Sequence, residues 1–345
     1  MHALRYHRYG SPEVIQLDDL PEPTPGPGFA KVRIHAVGLN PLDWKILAGH
    51  VRLLPVFRSP PRGIGFDFAG EIVGIGGGVT DRHVGERVFG SLVPFGREGA
   101  CSEYIAAPYD RMLPLPAEVD DLQAAALPIA GGTALQALID EGHLLRDQRV
   151  LITGAAGGVG HFAVQIAKDI GAQVVAVCGA RNAEFVRSLG ADEIVDYEKS
   201  DFTLRKDRFD VIFDAACASS FGAARSVLTE DGCYINTSGS AESLLTTIGS
   251  AIFARFTSSQ RAVPFALNNA APMWRRLLEL ARLYGGEGTG EVEIPLTQAA
   301  LASMAGTSRA TANQILRGEH QAGTVELGRG AVLVRDRAAL ARRAR

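Results

Sequence analysis

Apolar and polar positions follow three regimes along the chain. Up to about Asp121, short apolar runs are punctuated by Gly and Pro: 30–39 reads AKVRIHAVGL, 67–76 DFAGEIVGIG and 85–90 GERVFG, with PEPTPGPG ahead of them. Runs of that length between turn residues predict a compact, mostly β region, and the opening MHALRYHRYG reads as a strand. The first helical periodicity comes in DLQAAALPIAGGTALQALIDEG, expected to form helical segments broken at Gly131–Gly132. From Gln148, strands alternate with helices. RVLITGA is a strand, HFAVQIAKDIG a helix ending at Gly171, QVVAVCG a strand and NAEFVRSLG a helix; DEIVDY, FDVIFDAA and CYINTSG are further strands. That alternation implies right-handed crossovers and a doubly wound parallel sheet. The last 75 residues change again. MWRRLLELARLY predicts an amphipathic helix, IPLTQAALASMAGTSRATANQILR two short helices joined by a tight turn, and TVELGRGAVLVRD a β-hairpin.

Composition narrows the class. With 345 residues, 46% hydrophobic and 21% charged, the chain suits a globular protein of two or three domains. The N-terminus has no basic stretch followed by an apolar one, and there is no run of 18 apolar residues. Neither a secretory signal nor a membrane partner is expected, which leaves a cytoplasmic protein. Four cysteines (Cys101, Cys178, Cys217, Cys233) are scattered without a CxxC pair. They argue against a disulfide framework or a Cys-rich zinc site, and each is expected to be a small buried hydrophobe. From Ala271 onward, eleven arginines face seven acidic residues, a net of +4 against −3 for the whole chain. A basic end on an acidic body points to an anionic partner for that end.

The string LITGAAGGVGHFAVQIAK has an apolar strand leading in, a glycine turn, and a helix following. In that context Gly154, Ala155, Ala156, Gly157, Gly158, Val159 and Gly160 form a pyrophosphate cradle. The missing side chains let the backbone approach, and the helix N-terminus offers unpaired N–H groups. The alternative is a structural tight turn. The next strand ends Val177-Cys178-Gly179-Ala180-Arg181, with no carboxylate to hold ribose hydroxyls. Arg181 can pair with a 2′-phosphate, so NADPH is the expected cofactor; a solvated arginine at a helix start is the other reading.

Residues VGLNPLDWKILAG, GFDFAGEIVGIG, LPIAGGTALQAL, GAAGGVGHFAVQIAK and LGAD (189–192) together resemble the medium-chain dehydrogenase/reductase superfamily, in its zinc-free quinone oxidoreductase branch. The match runs from Met1 to about Leu283. It implies a GroES-like domain (1–122) and a Rossmann domain (123–270), with hydride transfer in the cleft between them. Zinc-dependent relatives carry a cysteine within the stretch reading GLNPLD here, and GHE where this chain has Gly65-Phe66-Asp67. Asn40 and Phe66 cannot supply a thiolate and an imidazole, so no metal is expected. The segment around Asn40 lines the substrate cleft in similar reductases. Asn40, Asp43, Lys45 and Asp67 are therefore the candidate catalytic residues, a donor among them stabilising the developing enolate. The plainer alternatives are a turn at Asn40-Pro41, a solvated helix face at Lys45 and a strand-edge hydrogen bond at Asp67. By the same resemblance, Thr133 touches the nicotinamide, with a helix cap as its alternative. Tyr197 lies near the adenosine phosphate with Gly179, and Ala216, Thr237 and Ser238 line the rest of the groove.

The C-terminal segment departs from that pattern, although ILRGEHQAGTVEL faintly resembles the usual closing strand. From about Met273 it resembles the winged helix-turn-helix of cyclic-AMP-receptor/FNR-type regulators, giving a third domain at 271–345. Thr297 would cap the first helix, Gly306-Thr307 would make the turn, and Ser308 would open a recognition helix. Arg309, Asn313 and Gln314 are candidate base readers; Thr307, Ser308, Arg317 and, in the wing, Arg329 are candidate phosphate contacts. The family often has an acid where this chain has Ala310. Two other readings use the same residues: ordinary helices finishing the reductase, or a winged helix that makes dimer contacts only.

The expected protein is thus an α/β, NADPH-dependent, zinc-independent reductase of quinones or α,β-unsaturated carbonyls. It is expected to form a homodimer and to bind double-stranded DNA through its C-terminal domain. A regulator that senses NADPH through a non-catalytic reductase domain is the rival from another class. A plain reductase that does not bind DNA is a third reading.

Overall fold

A computed structural model describes residues 1–50, 59–80, 82–92, 97–237, 260–265, 292–294, 316, 325–327 and 332–335. The contacts divide the chain into two units, Met1–Leu267 and Asn268–Arg345.

The first unit begins with a β region. Strands β1 (His2–Tyr6), β2 (Ile15–Asp19) and β3 (Phe29–Gly38) precede a helix α1 (Pro41–Leu47), followed by β4 (Arg62–Gly63) and β5 (Asp67–Ile75). Then come β6 (Arg87–Ser91), β7 (Tyr104–Pro108) and β8 (Met112–Pro114). They form an antiparallel five-stranded sheet in the order β7-β3-β5-β6-β8 and a smaller one in the order β2-β1-β4. The sequence alternation explains the core. Val32, Phe68, Ile72, Val88 and Ile105 turn inward and are fully buried with Tyr6 and Met112.

Helices α2 (Asp121–Ala125) and α3 (Pro128–Leu135) lead into the second layer. Here the structure corrects the expected break. Gly131 and Gly132 lie inside α3, and the interruption falls two residues before Pro128, which opens the new helix at its first position. A proline there has no N–H with which to continue the hydrogen bonds of α2, so the boundary falls at it although Leu127 before it keeps helical angles. Glycine at 131 instead keeps this face of α3 slim where it packs on the following helix, near Phe162.

The expected parallel sheet is present. Strands β9 (Arg149–Thr153), β10 (Gln173–Cys178), β11 (Glu193–Asp196), β12 (Phe209–Asp214), β13 (Leu228–Thr237) and β14 (Arg261–Phe265) assemble in the order β11-β10-β9-β12-β13-β14, with every pairing parallel. β14 was not expected from the sequence. Helices α4 (Gly158–Ile170), α5 (Ala183–Ser188) and α6 (Phe221–Ala224) make crossovers. Both faces are apolar, as the unbroken apolar runs require. Val150, Ile152, Val174 and Phe213 pack with Ala163, Val164 and Ala167 of α4 on one face, and Leu151, Val175, Ile212 and Phe221 pack on the other.

In the second unit, β15 (Val292–Ile294), β16 (Val325–Leu327) and β17 (Val332–Val334) form an antiparallel sheet in the order β15-β17-β16. The expected hairpin is β16 with β17, Leu327 facing Val332. Leu316, Val325 and Val334 are buried. Among the described residues, no helix is long and apolar enough to cross a membrane.

The tightest constraint on the parallel sheet is at Gly160. A Cβ there would stand 2.1 Å from the Gly154 carbonyl oxygen and 2.7 Å from the Ala155 Cα. Gly160→Ala should therefore lower stability by about 1–3 kcal/mol, because α4 must shift away from β9. Urea denaturation measures this; an unchanged midpoint would show that the helix is not fixed by this contact.

Candidate active site

The glycine turn follows β9 directly. Gly154 adopts φ of +60°, a conformation that glycine tolerates and other residues rarely adopt. Its carbonyl accepts the Gly157 N–H at 2.8 Å, and the Ala155 N–H goes to the Val177 carbonyl of β10 at 3.1 Å. Gly157 is the N-cap of α4, whose first-turn N–H groups have no partner within the helix. Gly157 and Gly158 are exposed, and around a Cβ at Gly158 there is open space. The turn thus presents bare backbone and the positive end of a 13-residue helix to solvent. Ala155 is buried, while Ala156 and Val159 are half-buried beside it.

One strand along, Gly179 follows β10. A Cβ on it would stand 3.1 Å from the Tyr197 hydroxyl, whose ring is 61% exposed. Arg181 is exposed in the short helical turn that follows, and among the described residues no carboxylate pairs with it.

On the opposite side, Asp214 closes β12. It is fully buried, and its carboxylate gathers the end of the sheet. Oδ1 accepts from the Thr153 hydroxyl at 2.6 Å and the Ala218 N–H at 2.9 Å. Oδ2 accepts from the Tyr234 hydroxyl at 2.7 Å, the Ser219 N–H at 2.9 Å and the Asn236 amide at 3.3 Å. Burial and the Asp214 charge together push the Tyr234 hydroxyl well above its ordinary pKa. Ala216 is exposed; Thr237 is half-buried, and its hydroxyl donates to the Ala215 carbonyl at 3.1 Å. Sequence reasoning did not find this network. Its signal was a polar residue ending an apolar run, which looks the same whether the side chain faces water or five donors.

The other cluster stands at the start of α1 and β5. The Asn40 N–H donates to Asp43 Oδ2 at 2.7 Å, and Asp43 Oδ1 accepts the Gly65 N–H at 3.0 Å. Asn40 leaves the cap uncovered by its own side chain. Its amide instead donates to Asp67 Oδ2 at 3.0 Å, an oxygen that also accepts the Ile129 N–H at 2.9 Å. Asp67 is only 1% exposed and its Oδ1 is buried without a hydrogen bond. Burial pushes its carboxyl up to about 6, and the nearby Asp43 charge adds to this. The Ile129 N–H, the Ser91 side chain and Asn40 pull the other way. Through Ile129, Asp67 is tied to α3, which carries the buried Thr133 and packs on α4.

Residues 26–117 match the family model "Alcohol dehydrogenase GroES-like domain" and 158–281 the model "Zinc-binding dehydrogenase". The chloroplast envelope quinone oxidoreductase homolog of Arabidopsis thaliana is 40% identical over 247 residues, 68% of this chain and 74% of that protein. The chain belongs to the medium-chain dehydrogenase/reductase superfamily. Within it, several relatives are of the quinone oxidoreductase type, and others include a trans-enoyl reductase of Aspergillus terreus. The quinone oxidoreductase of Pongo abelii is 31% identical, over 68% of this chain and 72% of that protein. The solved quinone oxidoreductase from Coxiella burnetii superposes with a TM-score of 0.71 at 26% identity, covering 96% of this chain and 98% of that one. At the C-terminal end, residues 273–343 match the model "Crp-like helix-turn-helix domain".

In this medium-chain dehydrogenase/reductase, the structure brings Asn40, Asp43 and Asp67 together, and the two carboxylates sit beneath the surface. Both position Asn40, which is half-buried. Lys45 is half-buried on α1, its Nζ 5.9 Å from the centre of the Trp44 ring. Thr133 is the sixth residue of α3, so it is not a helix cap. Cys178 and Cys233 are buried as expected, whereas Cys101 and Cys217 are half-buried. Ser238 and all the predicted DNA contacts (Thr307, Ser308, Arg309, Asn313, Gln314, Arg317, Arg329) lie outside the described residues.

The Asp67 carboxyl sets a pH dependence. Its folded value of about 6 exceeds the ordinary 3.8, so the folded state binds its proton more tightly. The stability this contributes is present below about pH 4 and is lost as pH rises through about 6. Asp67→Asn should therefore gain on the wild type across that window, by up to about 3 kcal/mol at pH 7. Denaturant melts at pH 4.5 and 7.5 measure the difference; a gap that does not widen with pH would refute it.

Proposed function

We propose that the chain is an NADPH-dependent, zinc-independent reductase of quinones or α,β-unsaturated carbonyls, with a DNA-binding unit at its C-terminal end. The observation that carries the reductase reading is the exposed glycine turn at the head of α4, with Arg181, which pairs with no carboxylate among the described residues, beyond the acid-free end of β10. Bare backbone and the helix terminus fit a pyrophosphate, and Arg181 fits a 2′-phosphate. NADPH supplies a hydride when bound. With it bound, Thr133 would lie against the nicotinamide, and Tyr197 with Gly179 would border the adenosine phosphate. Asn40 offers an amide N–H to the substrate oxygen, and Asp67 fixes which way that amide faces, since a charged carboxylate only accepts. A donor held in this way stabilises the oxygen as charge builds, and Lys45 or water protonates the carbon.

The donor chemistry supports zinc independence. Asn40 and Phe66 are not metal ligands of the kind a catalytic zinc uses, and Asp67 Oδ2 already accepts two protein donors. Among the described residues, no three His, Cys, Asp or Glu groups could hold an ion together.

The DNA-binding part rests on the match over residues 273–343 and on the sheet order β15-β17-β16, in which a hairpin pairs with an earlier strand as a wing does. This same observation favours the second reading, a regulator that binds NADPH without turnover.

NADPH consumption with a small quinone or enone should be measurable and unchanged after exhaustive chelation. Arg181→Ala should erode the preference for NADPH over NADH by about tenfold, the loss of one charge-assisted contact. Tight NADPH binding with no rate above buffer would reject the enzyme in favour of the regulator. A gel shift on the DNA upstream of the protein's own coding region should weaken as salt rises. Equal affinity for random duplex would reject specific recognition.

A further inference from the structure

Asp214 and its five donors take no part in the hydride chemistry, yet they stand at the mouth of the cofactor groove. The arrangement has a direction. A charged carboxylate only accepts, so the Thr153 hydroxyl must spend its single proton on Asp214 Oδ1, 2.6 Å away. Its lone pairs then face elsewhere, and one takes the Ala216 N–H at 3.2 Å. Thr153 is the last residue of β9, immediately before the glycine turn. Ala216 is exposed on the opposite wall. The two walls meet here: a Cβ on Gly154 would stand 3.0 Å from the Ala216 Cβ. Beyond Ala216, Cys217 has φ of +52°, and its thiol donates to the Thr237 carbonyl of β13. This loop is therefore held from three strands, with Thr153 the tether nearest the glycines.

We propose that Thr153, its hydroxyl oriented by Asp214, is a positioning residue for dinucleotide binding. It fixes the Ala216 backbone against Gly154 and so sets the width of the cofactor groove. The assignment rests on the NADPH reading above. Tyr234 provides the contrast. It donates to the same carboxylate, and the Ser219 carbonyl farther along the loop is also 2.9 Å away, but it makes no bond at Ala216, so its loss weakens the core and leaves the Thr153 tether on Ala216 in place.

The test is NADPH affinity by fluorescence titration on the full chain, with a thermal melt of each variant. Thr153→Val keeps the shape and removes both bonds; Kd should rise about tenfold. Thr153→Ser keeps the hydroxyl and should stay within about twofold of wild type, while Tyr234→Phe should lower Tm and also stay within about twofold. If T153V does not fold, Ala216→Pro removes the N–H from the other side, leaves the carboxylate's donors in place, and should also raise Kd about tenfold. An unchanged Kd in T153V or A216P overturns the proposal. So does equal weakening in T153S and Y234F, which would mark the network as purely structural. A wild type that binds no NADPH would overturn the cofactor reading itself, and is distinguished by needing no variant.

Discussion

The carboxylate of Asp214, taken out of water among five donors, is the interaction that gathers the carboxyl end of the parallel sheet, where the proposed cofactor groove lies. A buried charge is tolerated only when its lone pairs are satisfied, and here the donors come from β9, β13 and the loop after β12. Satisfying it draws separate segments to one point at the carboxyl ends of the strands. That is where doubly wound sheets bind ligands, because the strand order reverses there and leaves a crevice. In this chain the order reverses between β9 and β12.

A second carboxylate organises the other half. Asp67 joins Asn40 at the head of α1 to the Ile129 N–H at the head of α3. Since α3 packs on α4, the Asn40 amide and the glycine turn belong to one connected framework. The two carboxylates differ in how well they are satisfied. Asp214 has donors on both oxygens, whereas Asp67 has a bare Oδ1, and its carboxyl rises to about 6. Desolvation with too few donors has that effect.

Much of this was legible in the residues. The alternation of apolar runs with helical periods announced the parallel sheet, and each predicted strand from β9 to β13 is present. The glycines at 154 and 160 marked a turn because glycine takes a positive φ without strain and lets a helix press against a strand. The break expected at Gly131–Gly132 was misplaced because a glycine pair reads as a breaker. Tertiary packing against α4 keeps it helical, and Pro128 sets the real boundary. Strand β14 escaped because RAVPF is short and contains a proline; among the described residues it is at the sheet's edge, where a proline costs least.

The sequence by itself determined the class of sheet, the position of the glycine turn, the missing acid after β10 and the absence of zinc-type ligands at 40 and 66. Those are local properties, written in spacing and residue type. Only the tertiary structure decided what Asp43, Asp67 and Asp214 do. An aspartate has the same side chain in water, at a helix start or among five donors. Its role is set by burial and by partners dozens of residues away, such as Thr153 for Asp214 or Ile129 for Asp67. Pairing over that distance is a product of the fold, and no local pattern carries it.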